Sequence, residues 1–148
     1  MSSNKSQKES ITPRDSNISE LNITLSGRIP SKKNSKIMIC QGRFPKLIPK
    51  PEYAIWNMEQ QWYLKSLRSQ QSGAIGKTDS VIIDFYFPDA RKTDLTNKSE
   101  SIMDLLVDSM ILEDDNHVVV PKLILRSKGI DKKNPRAEIT ILYRKRAT

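Results

Sequence analysis

Seven carboxylates fall between Asp94 and Asp115 (Asp94, Glu100, Asp104, Asp108, Glu113, Asp114 and Asp115), against a single base, Lys98. That segment carries −6, so a chain of net charge +8 places +14 on its remaining residues. Glu100 and Asp104 stand four residues apart and on a helix would repel by about 0.2–0.5 kcal/mol. Asp114 and Asp115 then follow side by side. Carboxylates that repel one another are expected where a divalent cation offsets the repulsion. Hard ions such as Mg²⁺ take oxygen ligands, commonly one or two carboxylates completed by water and substrate phosphate. The matching chemistry is metal-assisted phosphodiester hydrolysis. A second account needs no metal. Thr93 or Asp94 caps a helix, early acids favour its positive end, and the rest form a solvated face. His117, the lone histidine, reads as an ordinary strand-edge residue beside the acids.

The carboxylates need elements to hold them. On a helical wheel from Asp94 to Met110, Leu95, Ile102, Met103, Leu105, Leu106 and Met110 share one face. Asn97, Glu100, Ser101, Asp104 and Asp108 share the other. A helix from Leu95 to about Met110 is expected, its apolar face packed on a sheet. Leu21 to Ile29 alternates as a strand, with a break at Gly27, and Val81 to Phe87 ("VIIDFYF") is a β-branched and aromatic one. His117–Arg126 and Ala137–Arg144 read as two more strands, joined by "SKGIDKKNPR" as a hairpin loop. Glu52 to Gln71 reads as a helix opened by Pro51, and Ile37 to Pro51 as irregular or extended. The order β-α-β-α-β-β predicts a single α/β (α+β) domain, a mixed sheet with two helices packed on it.

The chain has 148 residues, enough for one sizeable core. Residues 1–20 are polar, Ser-rich and short of large apolar side chains, and are expected to form a flexible arm before a domain over 21–148. That arm lacks the apolar run of a secretory signal and the Arg-rich pattern of a transit peptide. No apolar stretch is long enough to span a membrane. The one cysteine, Cys40, excludes an internal disulfide and a Cys-based zinc site, and fits a reducing cytoplasm. A sequence pI near 9.6 points to an anionic partner, with nucleic acid first. "QSGAIGKT" ends like a phosphate-binding loop but has Gln71 where the leading glycine belongs, so nucleotide binding is not expected there.

The stretch "PDARKTDLTNKSESIMDLLVDSMILEDDN", Pro88 to Asn116, resembles the signature of the RusA-type Holliday junction resolvases. In that family a strand, a proline and basic residues lead to Asp-Leu-Asp-Asn opening a helix, and a closing Asp-Asp follows. "IPSKKNS", Ile29 to Ser35, is similar to the family's Pro-Ser-x-Asn loop. The resemblance runs from about Ile23 to Leu142. It implies a homodimeric, Mg²⁺-dependent endonuclease, with Mn²⁺ as the alternative ion, that cuts branched DNA such as the four-way junction. By the same resemblance Asp94 matches the first catalytic aspartate, Asp115 the last, Asp114 the acid beside it and Asn97 the asparagine after the paired aspartates. Two departures stand out: Thr96 replaces the second aspartate, and Glu100 occupies the catalytic lysine's place. Glu100, one turn along the helix, restores the carboxylate count, while Lys92, Lys98 or a bound water would have to replace the lysine.

The expected catalytic residues are thus Asp94, Glu100 and Asp115, with Asp94, Glu100, Asp114 and Asp115 as metal ligands. Arg28, Lys32, Lys33, Asn34, Lys36, Arg91 and Lys92 are the expected DNA contacts, with Arg43 and Lys46 as further basic candidates. Phosphate contacts of this kind supply affinity and salt dependence more than sequence reading. The expected compartment is the cytoplasm of a bacterial or phage-infected cell. A non-catalytic branched-DNA-binding protein on the same fold is the alternative, and an RNA-associated basic domain with purely surface acids is the third reading.

Overall fold

The computed structural model describes residues 17–31, 36–42, 44–49, 51–68 and 73–144. Its elements are β1 (Ile18–Ser26), β2 (Lys36–Gln41), β3 (Phe44–Pro49), α1 (Pro51–Arg68), β4 (Thr78–Phe87), α2 (Leu95–Asp108), β5 (Leu123–Ile130) and β6 (Arg136–Arg144). They form a four-stranded mixed sheet in the order β1-β6-β4-β5 and a separate β2-β3 hairpin. This is one α+β domain with two helices, as the sequence pattern predicts.

The centre is β4. Val81, Ile82 and Ile83 are consecutive and all buried, a pattern that only an interior strand covered on both faces sustains. β6 pairs with it antiparallel on one side and carries β1 beyond; β5 pairs parallel on the other. Alternate residues fill one core: Ile23 and Leu25, then Val81, Ile83 and Phe85, then Ala137, Ile139 and Ile141. Ile102, Leu105 and Leu106 from α2 and Leu64 from α1 close it. On the β5 side, Arg126 donates to both oxygens of Asp84, at 2.5 and 2.8 Å, tying the edge strand to the centre.

Parallel strands need a crossover, and α2 supplies it between β4 and β5. Its first turn therefore lies at the carboxyl end of β4, where ligands gather in open mixed sheets. Three connections meet there. Gly27 N–H donates to Pro135 O at 2.8 Å, Asp131 N–H to Phe87 O at 2.8 Å, and Ser101 Oγ on α2 to Pro30 O at 2.6 Å. At its other end α2 stops at Asp108, because Met110 takes φ +60°, a left-handed conformation that ends a helix. The following chain is pinned by Ile75, which receives Glu113 N–H and donates to Ile111 O.

Several expectations are corrected. The span 37–51 holds the β2-β3 hairpin, turning at Gly42 with φ +66°. β1 starts earlier, at Ile18, inside the span expected as an arm; it stops at Ser26, where the break expected at Gly27 falls, with φ +89°. β5 begins at Leu123 instead of His117: Asn116 Oδ1 accepts from Val118 N–H and Val119 N–H, both at 3.0 Å, and folds that valine run into a turn. The "SKGIDKKNPR" segment joins no hairpin, because β4 lies between β5 and β6. α1 is seen to Arg68; the rest of its expected span lies outside the described residues.

Candidate active site

Asp94 is the N-cap of α2, with extended backbone, and its Oδ1 accepts from Thr96 N–H at 3.0 Å and from Thr96 Oγ1 at 2.6 Å. The capping account of this residue therefore holds, and it is compatible with a second role. Thr96, which stands where the resemblance leads one to expect a carboxylate, is bonded to the aspartate it would otherwise repel. Glu100 is exposed one turn along α2, and Asp104 lies a further turn on, half-buried. Ten residues of helix separate Asp94 from Asp104 by about 15 Å along the axis.

Asp114 and Asp115 follow α2 in an exposed turn. Asp114 accepts from Asp115 N–H at 2.8 Å and from Asn116 Nδ2 at 3.0 Å. The Asp115 carboxyl is pushed above its ordinary range, first by partial burial of the group although the residue stays exposed. A side-chain hydrogen bond with Asp114 and the charges of Asp114 and Asp104 push it the same way. Asp104, on the acidic helix face but absent from the expected site, is thus drawn in by the fold. Its signal in the sequence is the four-residue spacing from Glu100.

The described residues hold no group of three or more histidine, cysteine, aspartate or glutamate side chains close enough to share one ion. Mg²⁺ does not require such a cage, since one or two carboxylates with water and substrate phosphate complete its shell. Carboxylate oxygens such as those of Asp114 and Asp115 are the right donors for a hard cation. Asp114 accepts from the Asp115 N–H, while Asp94 lies at the far end of the helix.

A cationic patch adjoins the first turn of α2. Arg28, just after β1, donates to Asp89 Oδ2 at 2.7 Å, and Arg91 Nη2 lies 3.8 Å from the same oxygen. Arg91 N–H also donates to Asp89 Oδ1 at 3.0 Å. The Asp89 carboxyl is held below its usual range, chiefly by that backbone hydrogen bond and then by the charges of Arg91 and Arg28. Lys92 is exposed in the same loop. Lys98, half-buried on α2, donates to Ile29 O, and burial lowers its pKa, with Arg28 and Arg91 adding to the effect. Lys46 is exposed on β3. Lys32, Lys33, Asn34 and Arg43 lie outside the described residues, as does the side chain of Lys36.

No curated protein matches the chain. The family model described as Endodeoxyribonuclease RusA matches residues 26–142, from the end of β1 through nearly all of β6. That match takes in the acidic helix, the turn after it and the arginine patch together, and the chain belongs to the RusA endodeoxyribonuclease family.

Proposed function

We propose that this protein is a Mg²⁺-dependent, structure-selective DNA endonuclease that resolves four-way junctions or related branched DNA by paired nicking, in recombination and repair. Membership of an endodeoxyribonuclease family supports a nuclease. The observation that carries the finer reading is the adjacent pair Asp114 and Asp115, joined by the Asp115 N–H in the exposed segment after α2 and inside the span that the family model matches. Carboxylates that disfavour one another's charge are poised for a cation that neutralises them.

In this reading Asp94, Glu100, Asp114 and Asp115 are the candidate ligands, of which one or two would hold the ion, with water and substrate phosphate completing its shell. A bound Mg²⁺ there supplies positive charge that acidifies a water and stabilises a departing phosphate oxygen. The chain's own residues do the rest. Thr96 fixes the rotamer of Asp94 through its two hydrogen bonds. Arg28, Arg91 and Lys92 hold DNA phosphates without reading bases, and Lys32, Lys33, Asn34 and Lys36 extend that surface in this reading.

Paired nicking calls for two sites, hence a homodimer. Ile55, Met58 and Trp62 form an exposed apolar stripe on α1 at helical spacing. Two copies of α1 crossing antiparallel through that stripe would set Glu52 in the first turn against Lys65 in the last. Among the described residues no helix is long and apolar enough to cross a membrane; the cytoplasm of a bacterial or phage-infected cell suits the proposed substrate. The test is a labelled four-way junction with Mg²⁺ or Mn²⁺. Asp94→Asn should cut at least about a hundredfold more slowly, as expected on losing an essential group at the reacting centre, yet bind the junction normally in Ca²⁺. Loss of folding and binding together would overturn the catalytic assignment; a wild type that binds without cutting would favour the non-catalytic reading.

A further inference from the structure

A pocket of about 370 Å³, counted to its open mouth, lies between the segment after β1, the end of β4 and the first turns of α2. Its charged lining is four cations, Arg28, Arg91, Lys98 and Arg136, against one carboxylate, Asp89. Arg136 is already committed to Asp131 at 2.9 Å and to Glu138 at 2.7 Å. Arg28 and Arg91 share the single Asp89. The Lys98 ammonium makes its one hydrogen bond among the described residues to a backbone carbonyl, Ile29 O.

Holding that loop does not require a charge. One turn on, the neutral hydroxyl of Ser101 holds Pro30 O in the same way. A half-buried ammonium that lines the same pocket as two guanidiniums is costly to desolvate and to hold charged. An anion in the pocket would offset both costs. Asp89 already shows what such a ligand looks like: an anionic group held by two guanidiniums and one backbone N–H. Thr93, immediately before the helix N-cap, also lines the pocket, and the helix dipole there favours negative charge.

We propose that this pocket is a phosphodiester subsite, in which Arg28, Arg91 and Lys98 together seat one backbone phosphate of the bound DNA, a phosphate other than the one cut. The inference rests on the endonuclease reading for the source of the anion, while its geometry is independent of cutting. Lys98 then acts as a positioning residue: it fixes the strand at the entry of α2 while the carboxylates lie further along.

The experiment measures junction binding in Ca²⁺, where no cutting is needed, across a series of salt concentrations, for the wild type, Lys98→Met, Arg28→Met and the double variant. Each single substitution should weaken binding about tenfold, the loss of one charge-assisted contact, and lower the salt slope by about 0.9. Because both cations grip the same phosphate, the double variant should lose less than the product of the two. Wild-type affinity and slope in both single variants would overturn the subsite. So would fully multiplicative losses, which would place the two cations on separate phosphates. Arg28 is on the surface, so its variant decides the matter even if Lys98→Met fails to fold. A third arm adds inorganic phosphate without DNA: stabilisation by it that Lys98→Met abolishes, with junction binding intact, would mean a small-phosphate site and also overturn the proposal. A wild type that binds but never cuts would sink the endonuclease reading and leave this result to be read on its own.

Discussion

Asp115→Asn should make the metal-free protein more stable while it destroys the metal response. The carboxylate has two acidic neighbours that raise its pKa, Asp114 and Asp104. Asp115 is exposed, so each repulsion is worth about 0.2–0.5 kcal/mol, the range for like charges in contact on a helix surface. Relieving two of them yields about 0.4–1 kcal/mol. At about 2–4 °C per kcal/mol for a domain of this size, the melting temperature in EDTA should rise by about 1–4 °C. The wild type should gain more from metal than the variant does. About 10 mM Mg²⁺ acting on a site of roughly millimolar affinity stabilises by about 1.4 kcal/mol, or about 3–6 °C, and the variant should show little of it. Differential scanning fluorimetry in EDTA and in Mg²⁺ reads both quantities. A variant that melts lower in EDTA and still responds fully to Mg²⁺ would refute the reasoning, because Asp115 would then be a structural group and not a crowded ligand.

Other outcomes follow from particular contacts. Thr96→Asp should remove the hydroxyl bond to Asp94 and add a like charge, so the metal-free protein should lose up to about 1 kcal/mol in chemical denaturation; if the site takes Mg²⁺, junction cutting should rise. Glu100→Ala should slow cutting if Glu100 has replaced a missing ligand, and Glu100→Lys tests whether a lysine serves better there; equal rates in all three would show the position to be inert. The Asp89 carboxyl has a folded pKa below its unfolded one. It therefore contributes stability that is present above the unfolded pKa and lost as pH falls through the folded one. Asp89→Asn should accordingly be less stable than the wild type at neutral pH, with the difference vanishing as pH falls through the folded pKa, as urea midpoints across pH would show. Leu106→Ala, at a fully buried position where α2 meets the core, should destabilise by about 2–5 kcal/mol, measured by urea unfolding.

Much of the fold was legible because it is written locally. The "VIIDFYF" run could only be a buried strand, and the apolar face from Leu95 to Leu106 could only be a helix lying on it. What failed was non-local or hidden by composition. Pro45 and Pro49 masked the β2-β3 hairpin, which survives because its two strands stand apart from the main sheet. Val118 to Val120 read as a strand on propensity alone, until Asn116 captured their backbone. The insertion of β4 between β5 and β6 depends on pairing across the chain, which no local pattern encodes.

The site divides in the same way. Asp114 and Asp115 stood out as adjacent acids, and Asp94 by its place in the stretch that resembles the family's signature. The link from Asp104 to Asp115 emerges only once the chain turns back after α2. Lys98 gains its character from the 27–31 segment, about seventy residues away in sequence, and from Arg28 and Arg91 beside it. A lysine between a threonine-asparagine pair and a serine carries no such mark in the sequence itself.

The most direct measurement is the anomalous scattering of Mn²⁺ in crystals of the protein. The account predicts a manganese peak within about 2.5 Å of an Asp115 carboxylate oxygen, a usual metal–oxygen distance, with Asp114, Asp104, Glu100 or Asp94 completing the contacts, and no such peak in Asp115→Asn. Well-ordered crystals with manganese bound elsewhere, and none at any carboxylate from Asp94 to Asp115, would contradict it.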